Sequence, residues 1–365
     1  MTDTPYLAVD LTRLESNLTA MARRCADLGV ALRPHAKTHK CIEIARRQID
    51  CGATGLTVAT IGEAEVFAAA AEQTGCRDLF IAYPLWVTAH TGARLREIAR
   101  AVSMRVGVDS IAGAHRLAAE VARPDTHLEV LVEIDSGHHR TGVAAEQAGQ
   151  VAAAAAAAGL DVVGVFTFPG HGYGPGSARA EAAAAEVVAL RDAAQSLRDN
   201  GIDPRVISGG STPTVEFAEA GALTEIRPGV YPFNDAQQVE LGSATVDEVA
   251  LTAVTTVVHR SRSRVIVDAG SKILGADRPR WATGFGHVLD SPRARITALS
   301  EHHATIDYPE DDDPEGPARI PDPGDRIEVI PNHVCTAVNL VDDLIVKGQG
   351  EQSLSWRVAA RGRNS

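Results

Sequence analysis

Residues 127–174 read HLEVLVEIDSGHHRTGVAAEQAGQVAAAAAAAGLDVVGVFTFPGHGYG, and this stretch decides the fold. It holds two apolar runs, 127–135 (HLEVLVEID) and 161–168 (DVVGVFTF). Continuous runs of this kind suit parallel strands covered on both faces. The Ala tract 152–158 between them has the look of low complexity, but Glu146 and Gln150 precede it and Gly159 follows. It reads as one crossover helix over 145–158, closed by a glycine cap. Polar residues follow each run: DSGHHRTG after the first, PGHGYG after the second.

The same rhythm extends both ways. Further apolar runs stand at 30–34 (VALRP), 54–60 (TGLTVAT), 78–83 (DLFIAY), 103–109 (SMRVGVD), 205–209 (RVISG) and 223–231 (LTEIRPGVY). Helix-forming stretches rich in Ala, Glu and Arg separate them, at 11–28, 62–75, 89–101, 110–122 and 177–200. Eight strands joined by helices predict an α/β chain with a (β/α)8 barrel over 11–235. A doubly wound open sheet is the alternative, but no Gly-x-Gly-x-x-Gly follows an early strand to support dinucleotide binding. After residue 235 the texture changes to alternating segments at 250–259, 263–268, 294–299, 326–330 and 353–359. These predict a second, mostly antiparallel β domain over 236–365. The acidic stretch DDDPEGPARIPDPG (311–324) reads as a solvated loop.

Composition narrows the function classes. The chain has 365 residues, 45% of them hydrophobic, and a net charge of −12. That acidic balance argues against a nucleic-acid or membrane-surface partner, since both are polyanionic. No apolar run of about 18 residues offers a membrane span, and the N-terminal MTDTPYLAVDL lacks the apolar core of a secretory signal. Cys25, Cys41, Cys51, Cys76 and Cys335 are an odd, scattered set, expected as free thiols in a reducing cytoplasm.

In such a barrel the chemistry sits at the carboxyl ends of the strands. Five polar clusters fall there. RPHAKTHK supplies His35, Lys37 and His39; DSGHHRTG supplies Asp135, His138 and Arg140; GHGYG supplies His171 and Tyr173. SGGSTPT supplies Gly210, Ser211 and Thr212, and RPGVY supplies Arg227, Gly229 and Tyr231. The Gly-Gly-Ser-Thr run is a phosphate-cradle candidate, because small residues let backbone N–H groups approach an anion and a following helix would offer its positive end. An ordinary strand–helix turn is the other reading. Lys37, flanked by Arg33, His35, His39 and Lys40, is a candidate amine of lowered pKa, as Schiff-base chemistry needs; a solvated surface lysine is the alternative. Pyridoxal phosphate, a phosphorylated aldehyde, would unite lysine and cradle. In PNHVC, His333 and Cys335 point the same way if the segment is extended, so the two can meet one metal ion or form a packed pair. Nitrogen and sulfur donors favour zinc.

RPHAKTHK, EIDSGHHRTG, GHGYG, GGSTPT, RPGVYPFND and PNHVC, in this order, resemble the D-serine dehydratase and D-threonine aldolase family of fold-type III pyridoxal-phosphate enzymes. The resemblance runs from about residue 4 to 362. It implies an alanine-racemase-like barrel, a β domain that takes up the N-terminal strand 1–10, and a homodimer. It makes Lys37 the Schiff-base lysine, sets Arg140 at the pyridine nitrogen and places Tyr173 beside the cofactor. It assigns the phosphate to Ser211, Thr212 and the backbones of Gly229 and Val230, counts Gly210 and Tyr231 among the cofactor-binding residues, and gives a divalent metal to His333 and Cys335. The implied activity is a lyase on D-3-hydroxy amino acids: dehydration to a 2-oxo acid and ammonia, or retro-aldol cleavage to glycine and an aldehyde. An amino-acid racemase and a non-catalytic cofactor carrier share the barrel, but the racemase does not need the metal pair and carriers typically lack the β domain.

Departures from the family pattern bear on the proton transfers. The aldolase base is a histidine soon after the tyrosine, and here Arg179 stands near that place. His303 matches the family and is the candidate catalytic residue that, like a metal-bound water, can supply a base for cleavage, whereas His302 and Ala304 replace a glutamate and a glycine. His138 and His139 carry no family role and are expected as solvent-facing loop residues. The absent histidine and the cysteine at 335 favour dehydration.

Overall fold

Eight parallel strands form one sheet, and each coincides with one of the apolar runs. From one end to the other they are Ala31–Leu32, Glu225–Ile226, Val206–Gly209, Asp161–Phe166, Leu128–Glu133, Ser103–Val108, Asp78–Pro84 and Leu56–Val58. A parallel bridge from His35 to Thr57 joins the last strand to the segment after the first and closes the ring. The protein is described by a computed structural model over residues 3–309, 319–348 and 354–365.

Local chemistry sets the helix boundaries. Thr60, Thr88 and Ser110 turn their hydroxyls onto backbone N–H groups at the starts of Ile61–Ala69, Ala89–Ala101 and Ile111–Val121, which would otherwise lack partners. The Ala-rich segment is a helix, Ala148–Ala157, and Gly159 behind it has φ +90°, where a side chain would be strained. Inside the barrel Phe80, Leu131, Val163 and Phe166 form a buried cluster, with Phe80 and Phe166 edge to face at 5.0 Å. Burying each Phe contributes about 1.5–3 kcal/mol.

Among the described residues the second sheet has nine strands, four more than the alternating segments predict: Tyr6–Asp10, Gly286–Val288, Ala304–Asp307 and Asp343–Lys347. Six strands close into an antiparallel barrel, because the long Leu251–Ser261 pairs with Arg264–Val267 beyond a bulge and with Arg326–Pro331 before it. Tyr6–Asp10 lies between Leu251–Ser261 and Asp343–Lys347, so the N-terminal strand does belong to this sheet. Of the acidic stretch, 311–318 lie outside the described residues, and 321–325 form a turn in which Asp322 N–H bonds to Asp325. Among the described residues no helix is long and apolar enough to cross a membrane.

The chain divides into two compact units. A β unit draws on the described residues of Met1–Asn17, Thr38–Cys41 and Val230–Arg361; a barrel unit holds Leu18–Lys37, Ile42–Gly229 and Gly362–Ser365.

Candidate active site

The barrel rim gathers its reactive side chains around one aromatic ring. Phe168 follows the strand Asp161–Phe166, and Lys37 Nζ lies 5.6 Å from its centroid. Arg140 Cζ lies at 5.3 Å and the Tyr173 ring at 6.1 Å. His138 meets the same ring edge-on at 5.5 Å. Three residues carried by separate sequence motifs, Lys37, Arg140 and Tyr173, are thus brought together.

Asp135 builds the loop that carries Arg140. Its Oδ1 accepts the N–H groups of Gly137 and His139, both at 2.9 Å, and its Oδ2 pairs with His139 Nδ1 at 2.7 Å. Gly137 at φ +119° and His139 at φ 55° make the turn, which sends His139 outward and His138 inward. His139 is the exposed histidine the sequence predicts; His138 is half-buried, against that expectation.

Three sequence readings need correction. The cations flanking Lys37 are engaged elsewhere: buried Arg33 bonds Glu225 at 2.5 Å and Asp78 at 2.7 Å, and Lys40 Nζ reaches the Ala360 carbonyl. Arg33 reaches back to the amino-terminal end of the barrel, where Asp78 and Glu225 each begin their own strand. The second concerns the cradle. Gly209–Thr212 are all buried, but Glu186 takes the Gly210 N–H at 2.6 Å and Thr214 Oγ1 the Ser211 N–H at 3.0 Å. Those amides shape the loop, which leaves anion contacts to hydroxyls and to Thr212. Third, only a single turn, Val215–Phe217, follows the loop, too short to present a helix dipole.

The rim fits a polar aromatic guest. It offers an amine, a guanidinium, a phenol and two hydroxyls. Glu133 Oε2 and His171 Nδ1 are buried without hydrogen-bond partners, as expected where a further polar group completes a site. Burial pushes the Glu133 carboxyl up to about 7, against the pull of Thr141, Arg140 and Arg227. Burial likewise raises Glu186 to about 7, despite the Gly210 bond and the Arg227 charge.

Two further readings can be placed. Arg179 is turned to Glu216 at 2.8 Å and over Phe217, so it does not stand in for the family's histidine. Lys272, in the β unit, is exposed and paired with Glu301 at 3.2 Å.

The β unit carries a second centre. His333 and Cys335 meet, but not along a strand. Arg326–Pro331 ends first, His333 stands at the N-cap of Val334–Asn339, and Cys335 lies in that helix's first turn. Asp277, which no sequence pattern singles out, pairs through Oδ2 with His333 Nδ1. Asn332 pins the Asp277 carbonyl at 2.9 Å, and Thr38 Oγ1 lies 3.1 Å from Cys335 Sγ. Buried Asp235 accepts the Val334 N–H at 3.1 Å. Burial opposes charge on His333, yet Cys335, Asp277 and Asp235 together push the ring up to about 11. A centre that negative, with N, S and O donors, suits a divalent cation. Val230 and Tyr231 are buried in this unit, and His303 lies exposed in the turn between Ser291–Leu299 and Ala304–Asp307.

Another cluster of ligand type among the described residues joins His127, Glu129 and Asp161. It sits at the amino ends of its strands, and Arg105 and Arg205 pair with its carboxylates. That is the wrong end of a barrel for chemistry.

The family model described as "Alanine racemase, N-terminal domain" matches residues 9–236, and "Putative serine dehydratase domain" matches 250–347. A D-threonine aldolase from Arthrobacter sp is 33% identical over 99% of this chain and 93% of its own length. The D-threo-3-hydroxyaspartate dehydratase of Delftia sp. HT23 superposes with a TM-score of 0.88 at 30% identity, covering 98% of this chain and 97% of that one. Variants of that dehydratase, with a histidine or a cysteine two positions further on replaced by alanine, superpose at TM-scores of 0.88 and 0.87; the cysteine variant is described as metal-free. With the rim geometry, the negative centre and these matches in agreement, the chain belongs to the D-serine dehydratase and D-threonine aldolase family of fold-type III pyridoxal-phosphate enzymes.

Proposed function

We propose that this protein is a pyridoxal-phosphate- and divalent-metal-dependent lyase that dehydrates D-3-hydroxy amino acids to a 2-oxo acid and ammonia. The observation that carries the reading is the His333–Cys335 pair buttressed by Asp277, since the racemases on this barrel do not need it. The spacing of that pair equals that of the histidine and cysteine replaced in the dehydratase variants.

Pyridoxal phosphate, when bound, supplies the electron sink that makes the Cα–H bond acidic. Lys37 Nζ holds the cofactor and moves the Cα proton. Arg140 and Tyr173 would bind the cofactor ring, and Ser211, Thr212 and the backbone at Gly229 would bind its phosphate. His333 and Cys335 would hold the cation, with zinc proposed from the donor set, and a cation bound there would supply Lewis acidity toward the substrate hydroxyl. Asp277 fixes the imidazole by taking its Nδ1 side. The active form is proposed as a homodimer in a reducing compartment, where the five cysteines stay out of disulfides.

Chelation with EDTA followed by dialysis tests the reading. Lyase turnover is abolished while the visible absorption of bound cofactor persists, and added zinc restores turnover. Borohydride fixes the cofactor to the peptide holding Lys37. Full turnover without metal, or label on Lys272, contradicts the proposal.

A further inference from the structure

We propose that His138 is a second proton-transfer residue of the barrel site, acting at the 3-oxygen of the substrate. The inference rests on the lyase reading above and adds to it a base from a loop other than the one the family uses.

Placement is the first support. His138 shares the Phe168 ring with Lys37 and Arg140, and it lines a recess with Glu133, Asp135, Arg140 and Thr141. Its seat is built by two loops that interlock. A Cβ at Gly170 would lie 2.6 Å from His138 Nδ1 and Cε1, so glycine there makes room for the ring. Reciprocally, the His171 ring rests 3.2 Å from where a Gly137 Cβ would stand. His138 Cγ stands 2.7 Å from the Gly170 Cβ position, so the Gly170 backbone packs against the face of the His138 ring and the ring nitrogens lie at its edge. The Asp135 turn holds the backbone, with His139 at φ 55° as its strained member. A loop histidine fixed this way retains little rotamer freedom to lose on binding, which is the condition for efficient proton transfer.

The surroundings favour a neutral ring. Burial, then Arg140 and His171, hold the imidazole below its usual range, against Asp135; His139 lies on the outer side of the same loop. Glu133 lines the same recess, and Lys37 stands across the shared aromatic. A neutral imidazole near pH 7 accepts a proton. In the step proposed, the substrate O3–H bond breaks, an N–H bond forms at the unprotonated ring nitrogen, and the electron pair stays on the oxygen. Loss of that proton is what carbon–carbon cleavage requires, so His138 gives the site a route to an aldehyde beside the dehydration.

The test compares the wild-type holoenzyme with His138→Asn and His138→Gln. Aldehyde release from D-threonine is followed alongside exchange of the Cα proton of D-alanine in D2O, which has no 3-hydroxyl. The inference expects aldehyde release to fall about a hundredfold or more, with a far smaller loss in exchange. It also expects the acid limb of the wild-type pH profile, set below the usual histidine range, to disappear. An imidazole resonance titrating below that range should vanish in both variants. Equal losses in cleavage and exchange, an unaltered acid limb, or wild-type aldehyde release by the variants would overturn the assignment. No D-alanine exchange in the wild type would instead sink the lyase reading itself.

Discussion

Asp277 shows what single residues disclose only after folding. It stands 56 positions before His333, in a stretch without a motif, and chain folding alone delivers its carboxylate to the imidazole. Lys37, Arg140, His333 and Cys335 could be picked out because each sits in a compact motif. Phe168, which gathers three of the barrel's reactive side chains, reads in sequence as one more apolar residue. Arg33 misled for the opposite reason: its neighbours in sequence are cations, but its neighbours in space are Glu225 and Asp78. Asp277→Asn keeps the shape and removes the charge that steadies His333. Zinc affinity, measured by competition with a chelator, is expected to drop about 10- to 100-fold, with cofactor absorption retained. An affinity within twofold of wild type would show that Asp277 does not support the metal.

At the scale of elements, the barrel was legible because its strands are continuous apolar runs and its helices carry caps. The β unit was less so. Gly286–Val288 and Ala304–Asp307 are short, and Asp343–Lys347 alternates buried and exposed positions over five residues only. The metal pair was placed on a strand, whereas Pro331 and Asn332 end that strand and His333 opens a helix. Pro331-Asn332 carries the turn signal that ends the strand before His333. The cradle loop depends on Gly210, whose φ is +74° and whose added Cβ would meet Ile226 Cγ2 at 2.7 Å. Gly210→Ala combines left-handed strain with overpacking, for an expected loss of about 2–4 kcal/mol in unfolding free energy. Denaturant titration measures it, and a loss below about 0.5 kcal/mol would mean that the loop relaxes freely.

For the whole molecule, buried carboxyls set part of the pH response. Glu186 is raised from 4.5 to about 7 by burial, so the folded state binds its proton more tightly than the unfolded chain does. Its contribution is full below about pH 4.5 and is lost as pH rises toward 7, on the order of 3 kcal/mol. Glu186→Gln cannot ionise and can still accept the Gly210 N–H, so its stability relative to wild type should climb between pH 5 and 8 (roughly the window of that linkage). A constant difference across that window would place the carboxyl's folded pKa near its ordinary value. The proposed homodimer predicts twice the 38.4 kDa chain mass in light scattering of the holoenzyme, and a monomer at working concentrations would contradict it. The central claim is the reaction, and product analysis reaches it most directly. Metal-loaded holoenzyme is incubated separately with D-serine, D-threonine, D-threo-3-hydroxyaspartate and the matching L-isomers, and 2-oxo acid, ammonia, glycine, aldehyde and substrate chirality are all measured. The account predicts 2-oxo acid and ammonia in equal amounts from at least one D-isomer, none from the L-isomers, and none after EDTA; racemised substrate as the only product would contradict it.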